Sequence, residues 1–256
     1  MARYSPIAPI ALLEEMQEKK ILGNYILLLA HDVLKEPIRY ENLILNMRDF
    51  DNEEDDSFVI MDNSVVELGQ AMYAEDVVEA ACVVEANCIM TPDSLGGFDA
   101  TVALIEDQAA TLETCNFPLM RVPQGATYEE LEQCVAWIHD YLPAEDNKPE
   151  YWGIPRWITN ELKSRAEVIC YISSTIPRAQ IHLLGMSNSY LDDTMCAVHP
   201  QVMGIDSANP VVMGQDGMDM IHQPWIHMTR GNYWDDIELA RTAILNVEHM
   251  HNAVST

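Results

Sequence analysis

A chain of 256 residues, 48% of them hydrophobic, suits one closed α/β barrel with a sizeable core and is short for two independent domains. Its 41 acidic residues against 14 basic ones give a formal net charge of −27, the reverse of the basic footprint that nucleic-acid binders normally carry. No run approaches the roughly 20 apolar residues of a membrane span, and the opening MARYSPIAPI, with Pro6 and Pro9, is no secretory signal, so a soluble cytoplasmic protein without membrane contact is expected.

In chain order, one event recurs: a short apolar run ends at a polar residue or glycine, and a helical pattern follows. The runs are Tyr25–Ala30 ending at His31, Phe58–Met61 ending at Asp62, Cys88–Met90 leading to Asp93, and Pro118–Val122 leading to Gln124. Then come Tyr151–Ile154 around Gly153, Ile181–Leu184 ending at Gly185, and Val202–Ile205 ending at Asp206. Positions 31, 62, 93 and 124 are 31 residues apart, about one strand, one helix and two loops. Between the runs, Ala74–Glu85, Tyr128–Tyr141 behind an N-cap at Thr127, Thr159–Ile172 and Asp235–Met250 carry helical apolar spacing. In the last of these, Asp235, Asp236 and Glu238 are placed in the first turn, where the helix dipole favours anions.

Apolar strands alternating with helices imply a parallel sheet covered on both faces. Seven clear strands and a weak eighth at Trp225–Met228 predict an α/β fold, a (β/α)8 TIM-type barrel forming a single domain over residues 1–256. The alternative is an open doubly wound sheet, against which no G-x-G-x-x-G follows the first strand. Asp49–Ser57 and Leu142–Glu150 read as loops; the first precedes the second predicted strand and belongs on the barrel's far face.

Six cysteines contain no C-x-C or C-x-x-C pair, and five sit in apolar or helical patterns that suit buried, reduced thiols. His222, His227, His249 and His251 form no ligand set with any cysteine, so neither a metal nor another cofactor is expected.

Barrel active sites lie at the C-terminal ends of strands, which singles out Asp62, Asp93, Gln124, Gly153, Gly185 and Asp206. Any one aspartate is explained as a helix cap or a loop hydrogen bond, and His31 and Asp32 are read as structural on that ground. Several polar groups at successive strand ends define a polar pocket. Two carboxylates can support glycosyl transfer, one as nucleophile and one handling protons. A further carboxylate beside an amide suits a guanine edge, which offers N–H donors next to a carbonyl acceptor.

These segments resemble, in order, those of the tRNA-guanine transglycosylases and their relatives that insert 7-deazaguanines into DNA. VIMDNS (59–64) stands where that family has a strand ending in D-S-G-G-F-Q, and TPDS (91–94) where it has a base-reading aspartate. VPQGATYEEL (122–131) is similar to its V-Q-G segment, YWGIPRW (151–157) to its glycine strand closing over the base, and IHLLGMSN (181–188) to its Y-L-x-G-V-G. GIDSANP (204–210) resembles the F-D-S-A around its nucleophile.

The resemblance implies Asp206 as nucleophile and Asp62 as general acid/base. It implies Asp93, Gln124, Gly125, Gly153, Ile154 and Gly185 as binders of a preQ0-like 7-deazaguanine, without a cofactor. Arg156, Trp157, Arg178 and Arg230 are candidate nucleic-acid contacts. The segment after Asp62 departs from the family, since Asn63-Ser64-Val65-Val66-Glu67 lacks its glycine turn. No cysteine follows Cys196, so the family's zinc subdomain is missing, and Asn209–Gly214 replaces a basic stretch. These departures favour the phage-type DNA enzymes, with DNA as expected partner ahead of tRNA. The acidity leaves two origins open: solvation in a high-salt cytoplasm, or a basic partner subunit. It also keeps a catalytically silent, binding or assembly barrel among the readings, with self-association allowed in each.

Overall fold

The computed structural model describes residues 1–48, 56–145, 147–158, 164–187, 190–223, 225–226, 228 and 232–255. Eight parallel strands run β1 (Arg3–Pro6), β2 (Tyr25–Leu29), β3 (Phe58–Asp62), β4 (Cys88–Met90), β5 (Leu119–Arg121), β6 (Glu150–Pro155), β7 (Ala179–Leu184) and β8 (Val202–Ser207). They pair in the order β1-β8-β7-β6-β5-β4-β3-β2, with helices between them, as a nearly closed (β/α)8 TIM-type barrel. At the seam β1 and β2 share no strand ladder; the Leu27 amide instead donates to Ser5 Oγ at 2.8 Å.

The eighth strand is therefore Arg3–Pro6, not Trp225–Met228, whose described residues are not in a strand. RYSP carries little apolar signal and ends in a proline without an N–H. Such a strand is tolerated where a side of the ladder is left open, as at this seam.

Strand alternation divides the core. Ile26, Leu28, Val59, Met61, Ile89, Trp152, Ile154, Ile181 and Leu183 face the helices, while Tyr25, Leu27, Leu29, Ile60, Cys88, Met90, Met120 and Val122 fill the lumen. Both faces are apolar, which is why the strands read as unbroken hydrophobic runs. Continuing the lumen parity upward from Ile60 and Val122 places Asp62 and Gln124 at the rim, and Asp206 follows Gly204 in the same way. At the other end Tyr25 stacks on Phe58 at 5.8 Å between ring centres, and Phe58 meets Tyr151 at 5.5 Å. The Arg3 guanidinium lies 4.6 Å from the Tyr25 ring centre.

The helices at Ala74–Val83 and Tyr128–Tyr141 fall where the sequence pattern places them, and Thr127 Oγ1 accepts from the Glu130 amide at 3.1 Å. Of the helix expected over 159–172, residues 159–163 lie outside the described set, Ser164 is an N-cap, and 165–172 belong to the helix Arg165–Thr175. The last helix is Arg241–Val254, preceded by a 3-10 turn at Tyr233–Asp235. Asp235 falls in that 3-10 turn, and Asp236 and Glu238 also precede the helix, because tertiary partners hold residues 236–240 out of it. Gln215 bonds Asp236 Oδ2, the Glu238 carbonyl and the Ala240 amide, while Glu15 accepts from the Leu239 amide.

Glu150 belongs to β6 rather than to the preceding loop, and its buried carboxylate meets His139 at 2.9 Å. Of the acidic insert only 56 and 57 are described; Asp56 meets Arg3 and Asn24 at the strands' N-terminal ends, the far face. The six cysteines are unpaired thiols, but Cys82 and Cys170 are exposed on outer helix faces rather than buried. Among the described residues no helix is long and apolar enough to cross a membrane.

Candidate functional site

At the C-terminal mouth of the barrel lies a cavity of about 370 Å³. Its floor is apolar, with Ile7, Leu27, Leu29, Met90, Val122 and Leu184 from the top of the lumen. Its polar wall holds Asp62, Asn63, Glu67, Asp93, Gln124, Arg156, Gly185 and Asp206. Asp62, Asp93, Gln124, Arg156, Trp157, Gly185 and Asp206, all singled out from the sequence, thus share one cavity. Among the described residues Arg156 is its only cationic lining side chain.

Asp206 is 8% exposed, and its Oδ1 accepts from His182 Nε2 at 2.9 Å and from the Gly185 amide at 3.0 Å. Gly185 can aim that amide because it sits at φ +62°, a backbone region L side chains rarely enter. No described residue hydrogen-bonds Asp206 Oδ2.

Asp93 and Gln124 bond each other. Asp93 is 2% exposed; Asn63 Nδ2 donates to its Oδ1 at 2.7 Å and Gln124 Nε2 to its Oδ2 at 2.5 Å. Gln124 Oε1 accepts from the Gly96 amide at 2.9 Å and from Trp157 Nε1 at 2.8 Å, which fixes the amide's orientation. Burial pushes the Asp93 carboxyl up to about 6 against the opposing pull of the Asn63 and Gln124 donors.

Asp62 closes a tight turn, its Oδ1 accepting from the Ser64 amide at 2.5 Å. Ser64 takes up the left-handed conformation at φ +60°, so the turn forms without a glycine. Burial holds the Asp62 carboxyl well above the usual range, reinforced by Glu67, Asp206 and Asp93 and opposed by the Ser64 N–H. Glu67 is exposed overall yet lines the cavity. Partial loss of water is the main cause of its raised pKa, Asp206 and Asp32 add to it, and Arg156 opposes it.

The remaining candidates lie elsewhere. Gly125 packs on a helix, where a Cβ would stand 2.5 Å from the Leu131 nitrogen. Gly153 faces the lumen below the mouth and makes room for Leu184, whose Cδ1 would lie 2.8 Å from its Cβ. Ile154 points toward the helices, and its carbonyl accepts from buried Arg165 at 3.2 Å. Arg178 precedes β7 at the opposite end of the barrel and donates to the Glu145 carbonyl. Arg230 and His227 lie outside the described residues. His31 and Asp32 approach one another at 3.5 Å and do not line the cavity. Among the described residues no cluster of three His, Cys, Asp or Glu could hold a metal ion.

Asn63, Glu67 and His182 were not singled out from the sequence. His182 has the lumen parity of Leu184, which marks a polar residue inside the barrel. Glu67 carried no such signal. Asn209 Nδ2 donates to the Ile226 carbonyl and its Oδ1 accepts from the Met228 amide, which brings Met228 over the cavity. No protein-family model matches this chain, and no curated protein matches it in sequence.

Proposed function

We propose that this chain is a base-exchange transglycosylase that replaces guanine in DNA with a preQ0-like 7-deazaguanine through a covalent glycosyl–Asp206 intermediate. One observation carries the reading: Asp206 and Asp62 share a cavity with the Asp93–Gln124 pair, and among the described residues Asp206 is held through Oδ1 alone. Oδ2 attacks C1′ of the target nucleotide as the C1′–N9 bond breaks. Asp62, whose pKa is raised by loss of water and by the neighbouring carboxylates, gives a proton to the departing guanine. The incoming 7-deazaguanine then attacks C1′, the ester bond to Asp206 breaks, and Asp62 takes back the ring N–H proton. Two inversions give net retention.

Asp93 receives the N–H donors of the guanine edge, and Gln124 Nε2 has a second hydrogen for a carbonyl oxygen. The apolar floor accepts the faces of the ring, and the target base leaves its stack to enter. In this reading Arg156, which lines the cavity, meets a backbone phosphate.

Asp206→Asn tests this directly. Exchange of labelled guanine into duplex DNA should disappear while the melting temperature stays close to the parent's. A variant as active as the parent refutes the assignment. Assayed side by side, tRNA should be the poorer acceptor. Among the described residues Arg156 is the one lining cation, and in a protein of charge −27 this favours a second reading, a silent binding barrel. A saturating 7-deazaguanine that fails to raise the melting temperature would support it, since a ligand of the folded state must stabilise that state.

A further inference from the structure

The carboxylate of Asp206 is the upper end of a buried chain. His182 projects from the middle of β7 into the lumen and is fully buried; Nε2 meets Asp206 Oδ1 at 2.9 Å and Nδ1 meets the Tyr25 hydroxyl at 2.7 Å. Tyr25 is itself buried, seated on Phe58 and under Arg3. Gly204, beside His182 in the β7–β8 pairing, leaves the space that the Tyr25 ring fills, since a Cβ there would stand 2.3 Å from the ring. Three strands thus join to hold one imidazole edge-on to one carboxylate oxygen. The cavity-lining residues do not include either His182 or Tyr25.

We propose that His182 is a positioning residue: Tyr25 O–H donates to Nδ1, this leaves the proton on Nε2, and the Nε2–H clamps Asp206 Oδ1 so that Oδ2 alone faces the substrate. Asp206 is the nucleophile only under the reading given above, and the clamp rests on that reading for its effect on rate. Burial holds the Tyr25 phenol in its protonated form, which makes it a standing donor. With Nδ1 occupied as an acceptor, the neutral ring can donate only through Nε2. The Gly185 N–H supplies the second donor to Oδ1, so carboxylate rotation would break two hydrogen bonds at once. The arrangement inverts the usual triad, in which a carboxylate orients a histidine. Here the histidine orients the carboxylate.

The test compares His182→Gln, His182→Met and Tyr25→Phe with the parent in the guanine-exchange assay, alongside 15N NMR of the histidines. Glutamine keeps an N–H donor near the position of Nε2, and methionine keeps only bulk. His182→Met should lower kcat about 100-fold with KM for the 7-deazaguanine within about twofold, the signature of lost transition-state alignment. His182→Gln should recover to within about tenfold of the parent. Tyr25→Phe, which keeps the ring and its stacking, should lower kcat about fivefold. Equal losses in the Gln and Met variants, or no loss in Met, overturn the proposal.

If His182→Met does not fold, the NMR measurement decides. A neutral Nε2–H ring whose signals move in Asp206→Asn supports the clamp. An Nδ1–H tautomer overturns it, and an imidazolium overturns the part given to Tyr25. Should the parent protein exchange no base at all, the transglycosylase reading fails, and the tautomer still decides whether the clamp exists.

Discussion

Gly204→Ala is the sharpest probe of the lumen beneath the site. A Cβ at position 204 would stand 2.3 Å from Tyr25 Cε1, 2.5 Å from Cζ and 2.7 Å from the hydroxyl. Relief to an ordinary carbon contact of about 3.5 Å needs a ring movement of roughly 1 Å. The ring has little room to make it, since Phe58 stacks on it, Arg3 covers it and His182 holds its hydroxyl. Forcing a methyl into such a packed layer costs about 1–3 kcal/mol. For a chain of this size that lowers Tm by roughly 2–4 °C per kcal/mol. The assay is thermal or urea unfolding of Gly204→Ala in two backgrounds, the parent and Tyr25→Leu. Leucine lacks the three atoms the methyl would strike, so the cost of Gly204→Ala should vanish there, a coupling of at least about 1 kcal/mol. An equal cost in both backgrounds, additive within about 0.5 kcal/mol, refutes the argument that Gly204 exists to seat Tyr25.

Two further predictions follow from the same interior. The Asp93 carboxyl is raised to about 6, from an unfolded value of about 4, so the folded protein binds the proton more tightly and stability falls as pH rises from about 4 through about 6. Two units correspond to about 3 kcal/mol. Melting curves from pH 4 to 7 should therefore be flatter for Asp93→Asn than for the parent; parallel curves would show that Asp93 ionises as it does in water. Arg165 and Asp193, both about 1% exposed as side chains, meet at 2.9 Å, and Arg165 also donates to the carbonyls of Ile154 and Leu184 below the mouth. Arg165→Ala strands a buried carboxylate and should cost about 3–5 kcal/mol in urea unfolding; a loss under 1 kcal/mol would mean that water replaces the arginine.

Much of this molecule is written in its sequence at short range. Apolar runs buried on both faces announce parallel strands, the 31-residue recurrence of 31, 62, 93 and 124 announces strand–helix units, and Thr127 announces a helix start. Side-chain parity along a strand is equally local, so Asp62, Gln124 and Asp206 could be assigned to one rim before any coordinates. The three-dimensional pairing decided what local pattern cannot encode. Arg3–Pro6 becomes a strand because β8 lies beside it and Ser5 reaches Leu27. Residues 236–240 stay out of the last helix because Gln215 and Glu15 take their polar groups. Tyr25, His182 and Asp206 are joined across as many as 157 positions of sequence. A hydrogen bond depends on where two chain segments end up, and closing the barrel is what brings those segments together.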